Sequence, residues 1–182
     1  MFSRLIAIAA MWMIGVSAAI AGDDLAQAKQ VQDDVRKYNS ARTLGDIATF
    51  IELTHVAGVE MAGGSDAFEL QQRNLARMLR AAKSRVEQIR FPSRPQFFEG
   101  KDGRRFVIVP TVVTIAGVNR QGRAQRHVYE DFGLGILDPG ADGWKYIGGH
   151  VGDRGVTGIQ ARFSDFPSGV TLPPRTKMKV GG

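Results

Sequence analysis

The longest β-type stretch of the chain is FVIVPTVVTIAGV, at residues 106–118. It is rich in β-branched residues, which pack well on a pleated sheet, and we expect a kink or bulge at its one proline, Pro110. Glycine- and proline-containing turns separate it from three further predicted strands, at 90–99, 124–137 and 144–148. The strand at 144–148 is predicted to run antiparallel to the one at 124–137, because a short polar hairpin joins them.

Helical periodicity precedes these strands. Apolar residues recur at three- and four-residue steps over 23–41, and Tyr38 lies on that apolar side. Thr43 and Asp46 resemble a capping box that starts a short second helix. A third helix is predicted at 66–86. Helices followed by a strand meander predict an α+β protein with its helices packed on one face of an antiparallel sheet.

The N-terminus has the form of a secretory signal peptide. One basic residue, Arg4, precedes an uncharged apolar run at 5–20, and a small-x-small sequence ends at Ala21. We expect cleavage between Ala21 and Gly22 and export to a periplasm or to the outside. A retained membrane anchor is the alternative, but the run is shorter than the roughly 20 residues that a spanning helix needs.

The remaining chain is predicted to hold one domain, at 22–154. The tail at 155–182 contains three prolines, and we expect it to form one short helical turn followed by an extended, partly disordered end. No second span of membrane length occurs in the mature chain. A core of this size is stable without disulfides, which agrees with the absence of cysteine.

Composition excludes several kinds of chemistry. The 182 residues contain no cysteine, so no thiol nucleophile or cysteine-held metal is available. The three histidines are scattered without short ligand spacing, and no dinucleotide or phosphate loop occurs, so we predict no metal and no cofactor. The net charge is +6, but the one basic stripe is typical of a solvated helix face, and we predict no nucleic-acid partner. That stripe consists of Arg73, Arg77 and Arg80.

The order of these elements resembles a known superfamily. The chain has, in order, a helix, a short helix, Thr54-His55, a glycine pair, a long helix and strands that end in DGWKYIGG at 142–149. This order resembles that of small exported members of the nuclear-transport-factor-two-like superfamily. That group includes ketosteroid-isomerase-like and polyketide-cyclase-like enzymes, and the resemblance covers about 25–174. It implies a cone, in which a strongly curved antiparallel sheet wraps round the long helix and leaves a pocket. The matching residues belong to the scaffold, and one fold hosts many functions.

Three polar residues alternate along the predicted strand at 124–137. His127, Tyr129 and Asp131 share one face, so they are able to supply a general base and hydrogen-bond donors to a pocket. Turned outward, they are an ordinary solvated sheet face. Alternation favours the outward orientation, because the opposite face is apolar and calls for burial. That opposite face includes Val128, Phe132, Leu134 and Ile136.

Two further residues are candidates for lining the pocket. His55 follows the short second helix near the expected wide end of the cone, although a lone histidine here more often bonds to the backbone and packs. Tyr38 can point its hydroxyl into the same space, although a core tyrosine with a satisfied hydroxyl is the commoner case.

These observations leave three functions. The favoured one is an exported domain, without assigned catalysis, that binds a small apolar ligand or a partner in the cone. The second is an isomerase, cyclase or dehydratase that abstracts a proton without any cofactor. The third is a structural module that forms a homodimer through its open sheet face, as the superfamily resemblance implies.

Overall fold

The computed structural model describes the backbone of residues 3–180 and the side chains of residues 24–180. The predicted signal peptide at 1–21, with the cleavage site between Ala21 and Gly22, lies outside the residues whose side chains are described. None of the described helices combines the length and the apolar character that crossing a membrane requires.

The predicted α+β class is confirmed, since five helices and an open six-stranded antiparallel sheet lie within residues 3–180. The helices are α1 Ser3–Leu44, α2 Ile47–Leu53, α3 Val56–Met61, α4 Ser65–Ala81 and α5 Val156–Gln160. The strands are β1 Arg85–Arg90, β2 Gln96–Glu99, β3 Arg105–Val118, β4 Ala124–Leu137, β5 Lys145–Gly148 and β6 Thr176–Lys179. A single 3-10 turn, Gly149–Gly152, follows β5.

The centre of the sheet is one long hairpin, β3 with β4, which pairs in register from Arg105–Leu137 to Val118–Ala124. The short strands β2 and β1 pair with successive parts of β3, and β5 and β6 pair with successive parts of β4. The pairing of β5 with β4 is antiparallel, as predicted.

Of the kink or bulge expected at Pro110, the structure shows no bulge, since β3 pairs with β4 through Pro110 without a register shift. On its outer side β3 pairs with β2 only as far as Ile108 and with β1 only from Val112 onward. Pro110 therefore lies opposite the gap between the two short strands. A residue without an N–H is tolerated there because no neighbouring strand needs that donor. The irregularity in the sheet occurs instead in β1, between Val86 and Gln88.

The helix predicted at 66–86 corresponds to α4 and is shorter than predicted. α4 ends at Ala81, Lys83 has a φ of 47°, and Val86 lies in β1 rather than on the helix. The left-handed backbone at Lys83 stops the helix and turns the chain into the sheet. The strand expected at 90–99 is accordingly two strands, β1 and β2, separated by the segment that holds Pro92 and Pro95.

Both faces of the sheet are covered by packed side chains. On one face α1, α2 and α4 bury a cluster that includes Val35, Phe50 and Val107. On the other face the chain after β5 buries a second cluster that includes Phe106, Leu134 and Ile136. The segment from Gly155 onward begins with the short helix α5 and takes part in this second cluster. It contributes three buried apolar side chains, Ile159, Phe163 and Phe166, and strand β6.

Candidate functional site

A cleft of about 210 Å³ lies on the helix side of the sheet, between α1, α4 and the β3–β4 hairpin. We call it the helix-side cleft. Its apolar walls are Leu75 and Leu79 of α4 and Val113 and Ile115 of β3. Its polar side chains are Tyr38, Asn39, Arg42 and Thr43 of α1, Thr111 of β3, and Tyr129 and Asp131 of β4.

The cleft opens where the side chains on one face of β4 become larger. Val35 of α1 lies against Gly133, where an added Cβ would approach it to 3.2 Å. The helix therefore packs directly on the glycine end of the strand, and the larger side chains of Asp131 and Tyr129 line the cleft beyond it. Along this face of β4 the residues are, in order, Gly135, Gly133, Asp131, Tyr129 and His127.

This placement differs from the outward orientation that alternation favoured for the polar face. The apolar residues Phe132 and Leu134 are buried, but beneath the C-terminal segment on the opposite face. Because both faces of β4 are covered, burial of one face does not force the other into solvent. Tyr129 and Asp131 thus lie in the helix-side cleft together with Tyr38.

Asp131 is held in place by the C-terminal segment. Its Oδ1 accepts hydrogen bonds from Arg175 Nε at 2.8 Å and from the backbone N–H of Phe132 at 2.9 Å. Arg175 also pairs with Asp153. Because both hydrogen bonds end on Oδ1, Oδ2 is the oxygen of Asp131 that is left for a further donor.

Tyr38 separates the helix-side cleft from a second cavity of about 370 Å³. The centre of its ring lies 4.6 Å from the centre of the Phe50 ring. Burial raises the pKa of the Tyr38 hydroxyl. The second cavity also contacts Phe68, Ile147 and His150. His150 lies in the 3-10 turn after β5.

Arg42 lies one helical turn after Tyr38 and contacts both cavities. It is exposed, and no carboxylate among residues 24–180 lies within ion-pair distance of it. Arg42 was not predicted from the sequence, although its spacing of four residues from Tyr38 places both side chains on the same face of the helix.

Strand β6 adds a row of cations beside this face of β4. Lys177 pairs in register with Tyr129, and its Nζ lies 5.4 Å from the centre of the tyrosine ring. Lys179 pairs with His127. The alternation of basic residues in RTKMK, at 175–179, was the available signal, but the prolines before it suggested an extended end without sheet pairing.

His127 is not part of the cleft lining. Its Nδ1 is buried without a hydrogen-bond partner among the described residues. Burial lowers the pKa of His127, and Lys177 and Lys179 lower it further. Of the three alternating residues, the structure therefore brings Tyr129 and Asp131 together with Tyr38 and leaves His127 beyond them.

His55 has a structural environment away from the helix-side cleft. Its Nδ1 accepts from the backbone N–H of Ala57 at 3.1 Å, so its Nε2 carries the proton and donates to Asp138 Oδ2 at 2.9 Å. Both ring nitrogens are engaged, and the residue caps α3. Arg104 continues the chain of contacts, with Nε 2.6 Å from Asp138 and Nη1 2.8 Å from Asp165. We call these four residues the Arg104 network.

The environment of Asp138 predicts that the free energy of unfolding depends on pH. Burial opposes its ionisation, but hydrogen bonds from Arg104 and His55 outweigh this and lower its pKa. Ionised Asp138 therefore stabilises the fold above about pH 4, and this contribution is lost as the pH falls through the folded-state value. We expect Asp138→Asn to lower the free energy of unfolding near neutral pH, by an amount that shrinks below about pH 4. Urea unfolding across this range measures the difference.

Asp142→Asn is the control for this experiment, because Asp142 is an exposed residue of the same hairpin and makes no ion pair among the described residues. A pH-independent difference between Asp138→Asn and the unchanged protein would contradict the prediction.

No three His, Asp or Glu side chains within the described range of 24–180 lie close enough together to hold a metal ion. Comparison with known proteins finds no match to a family model, to a curated protein or to a solved structure. The functional proposal therefore rests on the helix-side cleft itself.

Proposed function

We propose that this chain is an exported protein that binds a small amphipathic molecule in the helix-side cleft without catalysing a reaction on it. One observation carries the proposal: the cleft combines an apolar wall, at Leu75 and Leu79, with polar groups at Tyr38, Tyr129 and Asp131. Apolar walls with a few convergent polar groups are typical of small-molecule sites. Export is supported by the pattern at residues 1–21.

The relation to the nuclear-transport-factor-two-like superfamily, and the cone shape that it implies, are parts of the same proposal. They are supported by the order of the elements, with helices first and a long antiparallel hairpin after them. The size of the cleft supports a small ligand. At about 210 Å³ it is below the roughly 300–1,000 Å³ of sites that hold drug-sized molecules.

Binding is favoured over proton abstraction by the environment of Asp131, the carboxylate in the cleft. Its Oδ1 already accepts hydrogen bonds from the Arg175 guanidinium and from the backbone N–H of Phe132, so that oxygen is not free to take a proton from a substrate. His127 and His55, the other candidate bases, do not line the cleft.

Binding is also favoured over assembly through an open sheet face. On the face opposite α1, Ile108 and Leu134 are buried in one cluster with Phe166 of the C-terminal segment. That apolar area is already used within the chain, which leaves less of it for a second copy.

We expect Leu75→Ser and Leu79→Ser to weaken binding of a neutral apolar fluorophore, N-phenylnaphthylamine, by about tenfold each. Both leucines are half-buried and supply the apolar wall of the cleft, so a hydroxyl there removes contact area and adds a group that needs water. Fluorescence titration of the purified protein measures the change in Kd.

Leu70→Ser is the matched control, because Leu70 lies on the same helix, is 59% exposed and does not line the cleft. Failure of the unchanged protein to bind the probe would reject the proposal, and so would an equal loss in all three variants.

A further inference from the structure

We propose that the ligand of the helix-side cleft is an anionic amphiphile, with its apolar part between α4 and β3 and its negative head group at Arg42 and the basic face of β6. This inference rests on the proposed function and adds the charge of the ligand to it. The chemical class is a small carboxylate or a similar monoanion on a short apolar body.

The cations around the cleft outnumber the anions. The anions are Asp131, which lines the cleft, and Asp153 nearby, and Arg175 pairs with both of them. Arg42 lines the cleft with no carboxylate partner among residues 24–180, and Lys177 stands over the ring of Tyr129, which also lines it. A net positive charge is therefore left at the polar side of the cleft.

The positions of these charges match the shape of the cleft. Leu75 and Leu79 come from α4, whereas Arg42 comes from α1 and Tyr129 from β4. The apolar wall and the polar groups thus belong to different elements, so a molecule with one apolar part and one charged end can satisfy both. An uncharged apolar ligand would displace water from the Arg42 guanidinium without offering it a hydrogen-bond acceptor in return.

The two histidines that flank the cleft are consistent with a positive potential. Burial lowers the pKa of His150, and the charges of Arg42 and Arg175 lower it further. Burial also lowers the pKa of His127, with Lys177 and Lys179 acting in the same direction. Asp131 opposes this effect at His150 but does not reverse it. The part of each shift that comes from neighbouring cations agrees with an excess of positive charge on this side of the sheet, which favours an anionic ligand.

The test uses three ligands with the same chain and different head groups: octanoate, octanol and octylammonium. Each is titrated into the purified protein by calorimetry and by displacement of N-phenylnaphthylamine at neutral pH. We expect octanoate to bind about tenfold more tightly than octanol, and octylammonium to bind most weakly, because a charge-assisted hydrogen bond to a guanidinium is worth about that factor. The preference for octanoate is expected to shrink as salt screens the exposed Arg42.

Arg42→Gln is expected to remove most of the preference for octanoate over octanol, measured as the ratio of the two Kd values in the same variant. Lys177→Gln is expected to reduce the preference by a smaller factor, and it provides a second variant on a different element. Arg77→Gln is the charge-matched control, because Arg77 is exposed on α4, contacts Asn74 and does not line the cleft.

Equal affinities for octanoate and octanol would overturn the inference and leave cleft binding intact. The inference also fails if the preference survives in both Arg42→Gln and Lys177→Gln. If none of the three ligands binds and the neutral fluorophore does not bind either, the proposed function fails with it.

Discussion

Replacement of Arg104 by methionine is expected to lower the free energy of unfolding by about 3 kcal/mol. Arg104 Nη1 lies 2.8 Å from Asp165 Oδ1, and the Asp165 side chain is only 3% exposed. The other oxygen of Asp165 is buried without a partner among the described residues. Without the guanidinium, a buried carboxylate has to stay charged without its partner or take up a proton, and both outcomes cost stability. Methionine keeps the volume of the arginine stem.

Arg73→Met is the matched control, because Arg73 pairs with Glu69 on the exposed side of α4. Such surface pairs contribute about 0–1 kcal/mol, so a small change is expected. Urea unfolding of both variants at neutral pH measures the difference. Adding Asp165→Asn to the Arg104→Met variant is expected to restore part of the loss, since the uncompensated charge is removed. Equal losses in the Arg104→Met and Arg73→Met variants would show that the Arg104 network does not behave as a buried ion pair.

The second large effect is expected for Gly135→Ala, at about 2 kcal/mol of lost unfolding free energy. A Cβ built at Gly135 lies 2.5 Å from Val107 Cγ1 and 3.0 Å from Tyr146 Cε1. Both neighbours are fully buried in the core cluster beneath α1, so neither has free volume to move into. The methyl group therefore forces side chains out of their rotamers or shifts the strand.

Gly143→Ala is the control for this substitution, because no atom lies within 4 Å of a Cβ at Gly143. We expect its unfolding free energy to stay within about 0.5 kcal/mol of the unchanged protein. Thermal and urea unfolding of the two variants provide the comparison. If Gly135→Ala is as stable as Gly143→Ala, the close packing at the glycine end of β4 is not what positions the sheet against α1.

The central hairpin and the first helix were predicted from local patterns. The β-branched run of β3 and the alternation in β4 each specify a strand over many residues, and the turn between them is short. The strand at 144–148 pairs antiparallel with β4 as expected, because a short polar hairpin permits little else. These features depend on residues that are close together in the sequence.

The C-terminal end of α4 and the existence of β6 were not predicted, and there is a physical reason for each. Helical periodicity continues past Ala81 as far as Val86, and only the left-handed turn at Lys83 directs Val86 into the sheet. β6 is stabilised by pairing with residues 127–130, which lie far away in the sequence. Its own four residues are all exposed, so no hydrophobic pattern marks it.

The candidate site was predicted in part. Tyr38, Tyr129 and Asp131 were identified from their positions on the first helix and on β4, and the structure places all three in one cleft. Alternation favoured an outward orientation for the polar face of β4, and the structure differs, because alternation identifies two faces but does not say whether one or both are covered. Arg42 was missed because exposed arginines are common on helices. Its place in the cleft is evident only once the sheet is packed beside α1.

The amino-acid sequence alone determined the α+β class, the central antiparallel hairpin, the absence of thiol chemistry and the apolar pattern at residues 5–20. Each follows from composition or from a period that a few neighbouring residues establish. Only the tertiary structure decided that the C-terminal segment covers one sheet face and that β6 places its cations beside Tyr129. Those contacts join residues far apart in the chain, and their free energy comes from burial and pairing that exist only once the whole domain has packed.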